Sequence, residues 1–290
     1  MKLLVNLLLF LIVTSCTQKE VTEEGYLQIE DSKVHYKISG TGNPVLLLHG
    51  GELNLSAWDS QISDLNKQNF KTIRYSELGH GKTQRGKVDL KGTEIINHFI
   101  NEKCNGQKVS IIGLSWGGVL ATDYALEYPN KVTKIILVSP GINGWDWFAN
   151  QKTRKKYEIL QKAYEDNDSL KVGKLSYKYW IVGPKRKESE MDLKARTNLK
   201  EMISYNINNH WGEARSSLDS INSIDRLKEI EIPSLIISGD KDSEDILEIS
   251  KLYKSNIKNS KRVVLTDVGH SLNMEKPKEF NETIIRFLKQ

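Results

Sequence analysis

The residues best suited to chemistry lie in the run Val109-Ser110-Ile111-Ile112-Gly113-Leu114-Ser115-Trp116-Gly117-Gly118. An apolar, β-branched stretch stops at Gly113, a serine sits between glycines, and a helical pattern starts at once. This is G-x-S-x-G placed between a strand and a helix. A serine that attacks a carbonyl must stand clear of the fold on a sharp, strained turn. Bulky side chains two residues to either side would collide there, and Gly113 and Gly117 carry none. The first N–H groups of the following helix then point at the place where negative charge develops. Ser115 is therefore the expected nucleophile.

A serine hydroxyl needs a base to take its proton and an acid to orient that base. After a strand-turn-helix serine the expected chain order is Ser, then Asp or Glu, then His. His270, in Val268-Gly269-His270-Ser271, follows the last expected strand and precedes the last expected helix. Loops at the C-terminal ends of parallel strands are where ligand-facing residues belong, so His270 is the expected base. The acid should end the strand Ser234 to Ser238, where Gly239-Asp240-Lys241-Asp242 offers two carboxylates. Spacing alone leaves Asp240 and Asp242 both open.

The oxyanion needs two N–H donors, each worth about 3 kcal/mol of barrier. One is expected from Trp116. The other is expected from the loop after Val45 to Leu48, which reads His49-Gly50-Gly51-Glu52; Gly51 is preferred to Glu52, because glycine lets the backbone pass close to a substrate. The remaining histidines have blander settings: His49 in that loop, His80 in a glycine-flanked turn, His35 on a strand and His98 on a helix. His210 is a weaker candidate for substrate contact. This chemistry requires no metal and no organic cofactor.

These residues must be positioned by alternating strands and helices. Tyr26 to Ile29 and Val34 to Ile38 alternate apolar and polar residues around a turn at Glu30 to Ser32, as a half-buried antiparallel hairpin does. Val45 to Leu48 is continuously apolar, as a strand covered on both faces should be. The spacing predicts strands over Lys71 to Tyr75, Lys108 to Ser115, Val132 to Val138, Ser234 to Ser238 and Arg262 to Thr266. Helices are predicted over Thr93 to Cys104, Trp116 to Glu127, Asp245 to Tyr253 and Pro277 to Leu288. Such alternation implies an α/β fold with a mostly parallel central sheet and helices on both faces. It breaks at Pro140. Residues 141–220 are helical in period and rich in lysine, tyrosine and tryptophan, which marks a helical cap inserted between two parts of the core, 25–140 and 221–290. Of its tryptophans, Trp145, Trp147, Trp180 and Trp211, one or more are expected to line the pocket.

The first residues read as an export signal. Lys2 gives a positive start, and Leu3 to Val13 is apolar apart from Asn6, too short to span a bilayer. Residues 1–15 are the expected signal peptide and 16–24 a polar tether. The formal charge of +5 implies no nucleic-acid partner, although residues 151–200 hold 14 Lys/Arg against 7 Asp/Glu. There are two cysteines, Cys16 and Cys104. Val13-Thr14-Ser15-Cys16 resembles the lipobox of bacterial lipoproteins, which implies that Cys16 is lipidated and that the protein is anchored to a membrane of the bacterial cell envelope. Cys104 is then a lone thiol near the end of a helix, with a structural role.

His49-Gly50-Gly51, Gly113 to Gly118, Gly239 to Asp242 and Gly269-His270 together resemble the α/β-hydrolase superfamily over nearly the whole chain after Gly25. The family places its acid at the fourth position of a Gly-x-x-Asp turn, which implies Asp242. Tyr75 to Thr83 (YSELGHGKT) is similar to the family's turn after the next strand, without the usual aspartate near its start. His49-Gly50-Gly51 and Ser115-Trp116-Gly117-Gly118 resemble proline iminopeptidases, whose loop continues Pro-Gly where this chain has Glu52-Leu53. Tyr179 to Arg186 (YWIVGPKR) resembles the cap of small-ester, enol-lactone and carbon–carbon bond hydrolases. A serine at position 115 argues against haloalkane dehalogenases and epoxide hydrolases, whose nucleophile is an aspartate. The resemblance implies a serine hydrolase acting on a small carboxylic ester or lactone. The alternatives are an aminopeptidase that holds a substrate ammonium on Glu213 or Glu201, a carbon–carbon bond hydrolase, and a non-catalytic binding protein, which predicts a missing triad member where none is missing.

Overall fold

The structure, a computed structural model, describes residues 22–218 and 221–290. The expected signal peptide and Cys16 lie outside the described residues. Eight strands form one sheet: β1 Thr22–Ile29, β2 Ser32–Ser39, β3 Asn43–Leu48, β4 Phe70–Tyr75, β5 Val109–Leu114, β6 Val132–Val138, β7 Ser234–Gly239 and β8 Ser260–Leu265. Their order is β1-β2-β4-β3-β5-β6-β7-β8. β1 and β2 form the expected antiparallel hairpin, and β2 pairs antiparallel with β4. Every pairing from β4 to β8 is parallel.

The central strands are apolar on both faces because both are covered. Along β3, Leu46 and Leu48 enter one core while Val45 and Leu47 enter the other, as the two-residue side-chain period of a strand requires. The same split separates Ile111 from Ile112 on β5 and Ile135 from Ile136 on β6. Three helices build the first core: α2 Gly92–Lys103, α3 Trp116–Glu127 and α8 Glu244–Asn256. Two others, α1 Asp59–Lys67 and α10 Pro277–Leu288, build the second.

Between β6 and β7 the chain forms α4 Gln151–Glu165, α5 Ser169–Ser176, a π-helical turn Tyr177–Val182, and α6 Leu193–His210. This helical segment adds to the second core through Ala195, Leu199 and Met202. Its last stretch is irregular: the Ser217 N–H donates to the Leu90 carbonyl at 2.9 Å, and the Gly92 N–H donates to the Ser217 carbonyl at 3.1 Å. Two short helices complete the fold, α7 Ser223–Arg226 and α9 Leu272–Glu275. No described helix is long and apolar enough to cross a membrane.

Candidate active site

Ser115 sits between the end of β5 and the first residue of α3, at φ +53° and ψ −109°. A positive φ is costly for a residue with a Cβ, and here the backbone is tied down on both sides. The Ser115 N–H donates to the Val138 carbonyl at 2.9 Å; the Ser115 carbonyl accepts from Gly118 at 2.9 Å and from Val119 and Gly141 at 3.2 Å each. The flanking glycines are a steric necessity. A Cβ on Gly113 would lie 2.2 Å from the Gly117 carbonyl oxygen, and one on Gly117 would lie 2.3 Å from the Leu48 carbonyl oxygen. The turn is tight because α3 crosses back over β3 with no room for side chains.

His270 lies on the loop after β8, just before α9, and both it and Ser115 line one cavity of about 420 Å³. Its Nδ1 is 3.0 Å from Oδ2 and 3.2 Å from Oδ1 of Asp242. Both partners are buried, at 5% and 2% side-chain exposure. A neutral imidazole held this way carries its proton on Nδ1 and leaves Nε2 free to accept one. The Asp242 carboxylate is itself oriented by the Ser243 N–H, which donates to Oδ1 at 2.7 Å. Asp240 points elsewhere: its Oδ1 accepts from the Val268 N–H at 3.4 Å, and its Oδ2 is 3.5 Å from Lys241 Nζ.

The loop after β3 brings Gly51 to the same cavity as Trp116 at the N-terminus of α3. Among the described residues, neither backbone N–H has a backbone carbonyl as acceptor. Two buried histidines hold the loop. His49 Nδ1 is 2.8 Å from the Gly50 carbonyl oxygen, and His80 Nε2 is 2.5 Å from the Gly51 carbonyl oxygen. Burial pushes the His49 pKa down to about 4 and holds that of His80 well below the ordinary histidine range.

Several side chains at the cavity carried no signal in the sequence. Arg215 and Glu52 line it and pair at 3.0 Å. The Arg215 guanidinium lies 5.6 Å over the Trp116 ring, and its Nη1 is 2.7 Å from where a Cβ on Gly51 would stand. Of the four tryptophans expected in the insertion, Trp147 and Trp180 line the cavity. Trp145 instead donates from Nε1 to Asp245 at 3.4 Å, and Trp211 stacks on Tyr164. His210 and Glu213 pair with each other at 3.0 Å and line a separate cavity, so the structure does not bring them to Ser115. Glu201 is exposed on α6. Cys104 caps α2 and is buried, and burial pushes its thiol up to about 11.

Arg186 joins the insertion to the histidine loop. It donates two hydrogen bonds to the Glu275 carboxylate, at 2.6 and 2.8 Å, and others to the carbonyls of Ile181 and Val182. Both charged side chains are almost fully buried, at 3% and 4% exposure. The guanidinium packs where a Cβ on Gly269 would be, 2.6 Å from it. Among the described residues, no group of His, Cys, Asp and Glu side chains is arranged to hold a metal ion.

Several sequence relatives span the chain. A proline iminopeptidase of Saccharolobus solfataricus is 24% identical, over 92% of this chain and 93% of its own. A 2-hydroxy-6-oxo-6-phenylhexa-2,4-dienoate hydrolase of Comamonas testosteroni is 25% identical, over 90% and 93% respectively. Among solved structures, the carboxylesterase CesB (YbfK) from Bacillus subtilis superposes with a TM-score of 0.72 at 18% identity, covering 92% of each chain. The model of the alpha/beta hydrolase fold matches residues 43–277. With its eight-stranded, mostly parallel sheet and its serine turn between β5 and α3, this chain belongs to the alpha/beta hydrolase family.

Proposed function

We propose that this hydrolase cleaves a small carboxylic ester or lactone through an acyl-enzyme, with Ser115, His270 and Asp242 as its triad. The observation that carries the reading is the pairing of His270 Nδ1 with buried Asp242 at 3.0 Å, on a ring that shares one cavity with the strained Ser115. Ser115 Oγ adds to the carbonyl carbon while His270 Nε2 takes its proton. Asp242 holds the imidazole in the accepting tautomer and stabilises the imidazolium. The N–H groups of Trp116 and Gly51 receive the oxyanion. His270 returns the proton to the departing alcohol, and water then cleaves the acyl-enzyme by the same route.

The polarity of the cavity favours an ester or lactone over a free N-terminal amine. An aminopeptidase needs a carboxylate to hold the substrate ammonium. Glu213 and Glu201 do not line the cavity, and Glu52, which does, is neutralised by Arg215. On this reading the helices between β6 and β7 are a cap over the site, with 25–140 and 221–290 forming the core. A lipidated Cys16 with a short tether would hold that core at a membrane of the cell envelope; metabolic labelling with a fatty-acid analogue tests this, and an unlabelled mature protein overturns it.

The test of the activity is Ser115→Ala. Turnover of p-nitrophenyl acetate and labelling by a fluorophosphonate probe should both be lost, with the unfolding transition unchanged. Turnover at the wild-type rate in this variant would sink the assignment. A proline-naphthylamide assay run beside the ester assay separates the aminopeptidase alternative.

A further inference from the structure

One end of the cavity is a box of aromatic rings. Trp147 stands edge-on to both Tyr157 and Trp180, with ring centres 5.5 Å apart and interplanar angles of 75° and 89°. Tyr157 and Trp180 are also 5.5 Å apart, and all three line the cavity. The Trp180 ring centre is 6.1 Å from that of His270. That placement has chemical meaning. The imidazolium must hand its proton to the departing oxygen, so the leaving group lies on the His270 side of the scissile carbonyl. The Arg215 side chain, paired with Glu52, lies instead beside the proposed oxyanion donors Gly51 and Trp116.

Lys156 shapes the box from outside the cavity. Its Nζ lies 4.6 Å over the Tyr157 ring and 5.1 Å over the Trp180 ring. Among the described residues, this buried ammonium has no hydrogen-bond partner. The electron-rich ring faces that would attract a substrate cation are therefore already engaged by a protein cation. The carboxylates of Asp245, Asp242 and Glu244 act on this ammonium through space, while their hydrogen bonds and closest ion pairs go to other partners. Asp242 faces His270, Asp245 accepts from the Tyr157 hydroxyl at 2.9 Å and from Trp145, and Glu244 is 4.0 Å from Lys185.

We propose that this box is the leaving-group subsite, that it takes a neutral aryl alcohol, and that Lys156 makes it reject a cationic one. The inference deepens the hydrolase reading above and rests on it. A neutral aryl ring gains edge-to-face contact with the box that a saturated ring of the same size does not. A quaternary ammonium meets the field of Lys156 instead. The step itself is ordinary ester cleavage: the carbonyl–oxygen bond breaks, and the alcohol leaves with the proton from His270.

Two matched pairs of acetates test this on the full chain, with ethyl acetate as the reference. Benzyl acetate should exceed cyclohexylmethyl acetate in kcat/KM by about two- to tenfold. The neutral 3,3-dimethylbutyl acetate should exceed its isostere acetylcholine by about tenfold or more. Trp180→Leu should bring the first ratio close to one. Lys156→Met should narrow the second about tenfold, while Lys156→Arg keeps it. A wild-type benzyl-to-cyclohexylmethyl ratio at or below one, or acetylcholine hydrolysed as well as its isostere, overturns the proposal without reference to any variant. Flat ratios with Ser115-dependent turnover of ethyl acetate sink the subsite and leave the hydrolase standing. Absence of Ser115-dependent turnover on every ester sinks both.

Discussion

His49 accepts the backbone N–H of Glu77 on its Nε2 at 2.9 Å. That fixes the ring as the neutral Nδ1–H tautomer, which donates to the Gly50 carbonyl at 2.8 Å. One imidazole thus ties the loop of the expected oxyanion donor Gly51 to the turn after β4. Glu77 is itself buried, accepts from the Leu78 N–H at 2.9 Å, and has its carboxyl pushed up to about 7 by burial.

The Glu77 shift makes stability depend on pH. Below an ordinary carboxyl pKa of 4.5, folded and unfolded chains both hold the proton and folding carries no penalty. From there to about pH 7 only the unfolded chain releases it, so stability falls, by about 3 kcal/mol in all. His49 acts in the opposite sense, its contribution being lost as pH falls from 6.5 to about 4. Glu77→Gln keeps an oxygen for Leu78 and removes only the carboxyl's part. Urea unfolding at pH 8 should show the variant gaining about 2.5 kcal/mol on wild type relative to the same comparison at pH 5. An equal difference at both pH values would contradict this account.

Asp242 and Asp240 should separate cleanly. Asp242→Asn presents His270 with the wrong tautomer and should lower kcat on p-nitrophenyl acetate by about 10³–10⁴-fold, with stability little changed. Asp240→Asn, which touches only the loop backbone and Lys241, should stay within a few-fold of wild type. A comparable loss in both variants would count against Asp242 as the orienting acid.

Arg186 and Glu275 form a buried pair, and removing one member strands the other. Arg186→Met should destabilise the protein by about 3–5 kcal/mol. Replacing both residues by methionine should recover most of that loss. Thermal unfolding of the three variants checks the sign. A double variant as unstable as the single one would mean that the carbonyl contacts to Ile181 and Val182, and not the ion pair, carry the effect.

The serine turn was legible where local backbone demands a residue type. Gly113 and Gly117 are forced by contacts within five residues and by a neighbouring strand, and α3, β6 and α10 have the bounds their periodicity predicts. Helix α1 was not legible. Its nine residues offer only Ile62 and Leu65 as an apolar stripe, while buried Gln61 is held by the Asn273 carbonyl and the Asn281 side chain, more than 200 residues away. The cavity wall was hidden for the same reason. Glu52 meets Arg215 across 163 positions, and Tyr157 meets Asp245 across 88. Periodicity records which face of a helix is buried and says nothing about which distant side chain will meet it.

The serine turn has one practical consequence. Four backbone hydrogen bonds clamp Ser115, one through its N–H and three through its carbonyl, and none of them uses the hydroxyl. Ser115→Ala therefore keeps the turn, the helix N-terminus and the Gly51 loop in place while removing the hydroxyl proposed above as the nucleophile. Such a protein is a bait. Immobilised and passed through a cell extract, it would retain an unconsumed substrate for mass spectrometry, letting the pocket itself report what it was built to hold.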